Sequence, residues 1–181
     1  MIRTRVGYAG GTKKDPTYES LGDHSETIEV AYDPRIISYA ELLDIFWQSH
    51  EPTVQSPSRQ YMSIIFYHDE EQRKLAVMTK DRQEASRKRK IQTIIVPAGL
   101  FYPAEDYHQK YYLRSTPAMM KEFSALYPVS TDFINSTAAA KVNGFIGGNG
   151  TIGDLKADLE GIKLAPKAID RIIKGLRGTR G

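Results

Sequence analysis

The hydrophobic residues of this chain change period along its length, and that change most limits the folds open to it. Ile2, Thr4 and Val6 alternate with Arg3 and Arg5, and from Thr27 to Tyr32 the alternation returns, with Ile28, Val30 and Tyr32 opposite Glu29. A period of two belongs to a strand with one buried face. Tyr61 to Tyr67 and Thr93 to Val96 are β-rich apolar runs, the second stopped by Pro97. Helical spacing lies between these strands. Ser38-Tyr39-Ala40-Glu41 forms a capping box ahead of Leu42, Leu43, Phe46 and Trp47. Asp69 is expected to cap a charged helix from Glu70 to about Ser86, with Leu75, Val77 and Met78 turned inward. After Pro103 the pattern becomes helical, over Tyr107 to Leu113, Ala118 to Leu126 and Asp132 to about Val142, ahead of the glycine-rich Asn143 to Gly148. Pro166 suits a first helical turn and puts Ile169, Ile172, Ile173 and Leu176 on one face. Strands interleaved with helices, then a helical tail, predict the α/β (α+β) class.

None of the 181 residues is cysteine. That removes disulfides, thiolate nucleophiles, iron–sulfur clusters and thiolate zinc sites together. The 25 basic and 22 acidic side chains leave a formal charge of only +3, too small to mark a nucleic-acid partner. Arg87-Lys88-Arg89-Lys90 reads as a solvated helix end whose charge suits the helix C-terminus. His24, His50, His68 and His108 lack the close spacing of a helical zinc site. Neither a signal-peptide segment nor a run of membrane-spanning length is visible. The expectation is a soluble, cytoplasmic protein without metal, cofactor, membrane or nucleic-acid partner.

Two tyrosines and one acid cluster around the first strands and their loops. Tyr18 falls in a loop, Glu26 follows His24-Ser25 at the entry to a strand, and Tyr61 opens another. Tyrosine hydroxyls and a protonated carboxyl can donate hydrogen bonds to a polarised oxygen. Taken by residue type and spacing alone, three such residues are more often core and edge positions than a site.

The order of short motifs is more specific. Val6-Gly7-Tyr8-Ala9-Gly10-Gly11, Pro16-Thr17-Tyr18, Gly22-Asp23-His24-Ser25-Glu26 and Val30-Ala31-Tyr32-Asp33-Pro34 follow one another. Arg59-Gln60-Tyr61-Met62-Ser63, Phe101 to Tyr111 and Asn143-Gly144-Phe145 come next. Over residues 2 to 148 this series resembles the peptide methionine sulfoxide reductase A family, in its animal-type branch. The resemblance implies a ferredoxin-like mixed sheet flanked by helices, and protein repair under oxidative stress by reduction of methionine-(S)-sulfoxide. In that family a cysteine in a Gly-Cys-Phe-Trp motif attacks sulfur, a glutamate protonates the leaving oxygen, and tyrosines hydrogen-bond it. Thioredoxin then restores the enzyme. By resemblance Glu26 is the proton donor, Tyr18 and Tyr61 bind the oxygen, and Phe145, which stands where tyrosine is usual, lines the same pocket.

Several departures qualify these implications. The Gly-Cys-Phe-Trp segment and any resolving cysteine are missing, and Ser56 or a neighbour stands where bacterial members carry an aspartate. The chain starts at the point that follows the family's first strand and helix, so the expectation is an N-terminally incomplete, catalytically inactive form. Thioredoxin would be a partner only of a cysteine-containing form. The alternative is a pseudoenzyme that binds methionine-containing peptides or a partner protein. The expected domains are residues 1–149, reductase-like, and 150–181, a helical extension.

Overall fold

The computed structural model describes residues 1–177. It is mixed α+β, with five strands and eight α-helices among the described residues. The strands are β1 (Arg3–Ala9), β2 (Ser25–Ala31), β3 (Ile64–Tyr67), β4 (Ile94–Pro97) and β5 (Phe101–Pro103). They form a three-stranded sheet in the order β2-β1-β5 and a separate parallel pair, β3-β4. Two compact units result. One holds residues 1–6, 28–31 and the described chain from Ala104 onward; the other holds 7–27 and 32–103.

In the second unit, Gly7, Tyr8 and Ala9 pair antiparallel with Pro103, Tyr102 and Phe101. Three residues ended by a proline are too few to show alternation, so β5 was not legible in the sequence. The run expected as a strand from Tyr61 begins only at Ile64, because Arg59–Tyr61 is wound into a 3-10 turn. Helices α1 (Tyr39–Gln48) and α2 (Glu70–Arg87) enclose a core of Leu43, Trp47, Ile65, Ala76 and Ile91. The Ser38–Glu41 capping box and the Asp69 cap both form. The inward face of α2 differs from expectation. Leu75 packs on the core beside buried Ala76 and Thr79, while Val77 and Met78 are 38% and 56% exposed. At 100° per residue, 77 and 78 turn away from a face set by 76 and 79. Thr79 gave no apolar signal because its hydroxyl, bonded to the Ala76 carbonyl, is what makes it acceptable inside.

In the first unit, Ile2 N–H donates to the Ala31 carbonyl and Arg5 grips Glu29 through two bonds of 2.9 Å. The segment from Asp106 is a 3-10 turn (Asp106–His108) followed by the short α3 (Tyr111–Arg114), and not one helix from Tyr107. Lys110 separates them with φ +56°, a conformation an α-helix cannot pass through. The remaining helices are α4 (Pro117–Leu126), α5 (Ser130–Asn135), α6 (Thr137–Ile146), α7 (Ile152–Gly161) and α8 (Pro166–Arg177). The helix expected over 132–142 is two helices. Ser136 has extended backbone, and its side chain accepts from Ala139 N–H, so it ends α5 and caps α6. The glycine-rich stretch is helical as far as Ile146. On α8 the four apolar residues named from spacing are all buried. Residues 178–181 of the expected helical extension lie outside the described part.

Candidate functional site

The site grows from two turns held together by polar side chains. Asp23 accepts Thr12 N–H at 2.8 and 2.9 Å, Lys13 N–H at 3.2 Å and the Thr12 hydroxyl at 2.9 Å. The Thr12 bonds, backbone first and then hydroxyl, hold its carboxyl down to about 2, so it remains a strong acceptor. Beside it, buried His24 accepts Gly11 N–H at its Nδ1 and places Nε2 2.8 Å from the Lys13 carbonyl, which selects the Nε2–H tautomer. Glycine is needed at 11, since a Cβ there would sit 2.6 Å from Asp23 and from the His24 backbone. Lys13 Nζ closes the loop on the Ser20 carbonyl at 2.6 Å. Tyr18 stands at the tip of the turn between the bridged residues Thr17 and Ser20.

The Arg59–Tyr61 turn is docked on this frame. Arg59 Nε donates to the Asp23 carbonyl (2.7 Å) and its Nη2 to the Gly10 carbonyl (3.0 Å). Buried Ser25 sends its hydroxyl to the Arg59 carbonyl at 2.6 Å. That bond sets two chain segments side by side, so the residues that follow each anchor, Glu26 and Gln60, meet. Gln60 Nε2 donates to Glu26 Oε1 at 2.7 Å. One residue further, the Tyr61 hydroxyl is hydrogen-bonded with Tyr18. That bond, Tyr18's charge, burial and the Glu26 carboxylate all raise the Tyr61 pKa, so its O–H is kept as a donor at neutral pH. Tyr18 is 42% and Tyr61 57% exposed, so an incoming group can reach both.

Three of the four residues singled out from the sequence are thus gathered within one unit: Tyr18, Glu26 and Tyr61. Phe145 belongs to the other unit. It is 3% exposed and packed in the helical core with Leu113, Val142 and Leu155. Ser56 is tied into its own turn, donating to the Ser58 carbonyl at 2.8 Å and accepting Ser58 N–H at 3.3 Å. Gln60, Arg59 and Ser25 had no signal as individuals, since their importance lies in backbone anchors that no spacing rule reports. Among the described residues no group of three or more His, Asp or Glu side chains could hold a metal ion. Nor is any described helix long and apolar enough to cross a membrane.

Comparison of the chain with known proteins points to one family. Residues 1–141 match the model of peptide methionine sulfoxide reductase, and residues 131–175 match that of the helical domain of selenoprotein methionine sulfoxide reductase A. A Drosophila melanogaster peptide methionine sulfoxide reductase is 43% identical over 169 residues, 92% of this chain and 67% of the fly protein. A rice (Oryza sativa subsp. japonica) peptide methionine sulfoxide reductase A5 is 44% identical over 151 residues, 80% of this chain and 59% of the rice protein. The chain therefore spans between 59% and 67% of the length of these two relatives. Among solved structures, reduced Mxr1 from Saccharomyces cerevisiae superposes with a TM-score of 0.58 at 32% identity, over 63% of this chain and 71% of the yeast chain. Methionine sulfoxide reductase A of Corynebacterium diphtheriae gives 0.52 at 32% identity, over 64% of each chain. On the extent of the family match and the identity to these relatives, the chain belongs to the peptide methionine sulfoxide reductase family.

Proposed function

We propose that this chain carries the oxygen-handling groups of a methionine sulfoxide reductase and does not itself reduce the sulfoxide. The observation that supports the reading is the cluster of Tyr18, Tyr61 and Glu26, bonded or in electrostatic contact within one unit. A sulfoxide S–O bond is strongly polarised, and its oxygen accepts hydrogen bonds readily. Tyr61 and Tyr18 supply hydroxyl donors, and Glu26 in its protonated form supplies the proton that leaves with the oxygen.

Reduction also needs an electron pair. In a thiol mechanism a thiolate attacks the sulfoxide sulfur, the S–O bond breaks, the sulfoxide becomes a sulfide and the thiol becomes a sulfenic acid. No residue of the chain can supply that pair, because none is cysteine. Serine hydroxyls are far too little ionised near neutral pH to take its place. Thioredoxin regenerates a sulfenic acid or disulfide, so it would be a partner only where a thiol from outside these 181 residues completes the site. A second reading, capture of methionine-sulfoxide peptides without turnover in the manner of a pseudoenzyme, is favoured by the exposure of both tyrosines.

The test is a reduction assay on a peptide containing methionine-(S)-sulfoxide, with dithiothreitol or thioredoxin, its reductase and NADPH. The purified chain is expected to form no methionine above a heat-treated control. Turnover by the purified chain would refute the proposal.

A further inference from the structure

We propose that Gln60 is a positioning residue for Glu26, resting on the reading of Glu26 as the proton donor given above. It fixes which carboxyl oxygen carries the proton. A neutral carboxylic acid has one oxygen that accepts hydrogen bonds and one that bears hydrogen. Gln60 Nε2–H occupies Glu26 Oε1 at 2.7 Å, and an oxygen already accepting from an amide is the one that stays a carbonyl. The proton is thereby directed to Oε2, where it can be handed to a sulfoxide oxygen.

The anchoring around this contact gives it a defined place. Ser25, immediately before Glu26, holds the Arg59 carbonyl, immediately before Gln60, and Arg59 is itself tied to Gly10 and Asp23. Both side chains therefore leave backbones that are fixed to each other, and the amide meets the carboxyl without either chain having to search. Ser56 cannot serve in its place, being occupied within its own turn.

The test uses the full chain, two short peptides that differ only in carrying methionine or methionine-(S)-sulfoxide, and titration calorimetry. Gln60→Met, similar in size and without a donor, should bind the sulfoxide peptide about fivefold more weakly than wild type does, the scale of one hydrogen bond, with its affinity for the methionine peptide and its melting temperature unchanged. A second readout does not need that variant to fold. The side-chain amide signals of Gln60 in 1H–15N spectra should differ between wild type and Glu26→Leu. Equal preference for the sulfoxide in wild type and Gln60→Met, or amide signals blind to the loss of the Glu26 carboxyl, would overturn the role of Gln60 and leave the wider reading standing. Failure of wild type to bind the sulfoxide peptide would overturn both.

Discussion

At the scale of single residues, side chains do work that secondary structure would otherwise do. Gln109, 1% exposed, takes Val6 N–H on its Oε1 at 3.0 Å and gives its amide to the Val6 and Ala104 carbonyls at 2.8 and 3.0 Å. It pairs the Val6 backbone as a neighbouring strand would. Lys110 beside it places Nζ 2.5 Å from the Thr4 carbonyl, and burial first, then the charges of Arg114 and Arg5, pull its ammonium down to about 8. The Asp23 pKa falls as well, but for a carboxyl a lowered pKa favours the charged form. Its folded pKa of about 2 lies below the ordinary 3.8, so its contribution to stability is fully present above pH 3.8 and is lost as pH falls through 2. The gap in urea midpoint between wild type and Asp23→Asn should therefore shrink as pH is lowered from 3.8 to 2, and a gap that stays constant would show that the carboxylate is not what holds the Thr12–Lys13 turn.

At the scale of elements, helix packing decides what a glycine means. Gly175 of α8 faces Met119 of α4, and a Cβ at 175 would lie 2.1 Å from the Met119 methyl carbon. Met119 is the flexible kind of neighbour, but at 1% exposure it has no free space to move into. Gly144, inside α6, would place a Cβ with nothing within 4 Å. The two substitutions should therefore differ in sign. Gly175→Ala is expected to lose about 1–3 kcal/mol by overpacking. Gly144→Ala should gain roughly 0.5–1 kcal/mol from restricting the unfolded chain. Thermal melts read both, and a stabilised Gly175→Ala would contradict the packing. Elements also show where sequence reading succeeds. The Ser38–Glu41 capping box, the Asp69 cap and the apolar face of α8 were legible because their signals are local and periodic. The break at Ser136, the strand Phe101–Pro103 and the inward Thr79 were not, since each depends on partners distant in sequence or on a hydroxyl satisfied in place.

At the scale of the whole molecule, the chain joins the scaffold of its family to a sequence of 181 residues without cysteine. Tyr18, Glu26 and Tyr61 were legible through motif resemblance, and the structure gathers them because Ser25, Asp23, His24 and Arg59 bind three turns into one frame. That frame could not be read from spacing, as its bonds run mainly from side chains to backbone atoms of other segments. Its consequence is that two exposed tyrosines and a carboxyl come together, the groups to which the proposal above gives recognition of the sulfoxide oxygen. The most direct measurement is equilibrium binding of two peptides of identical sequence, one with methionine and one with methionine-(S)-sulfoxide, to wild type, Tyr61→Phe and Tyr18→Phe. Wild type should favour the sulfoxide by about tenfold, roughly 1.4 kcal/mol, and each variant should lose most of that preference while keeping its weak affinity for the methionine peptide. Equal binding of the two peptides by wild type would contradict the account.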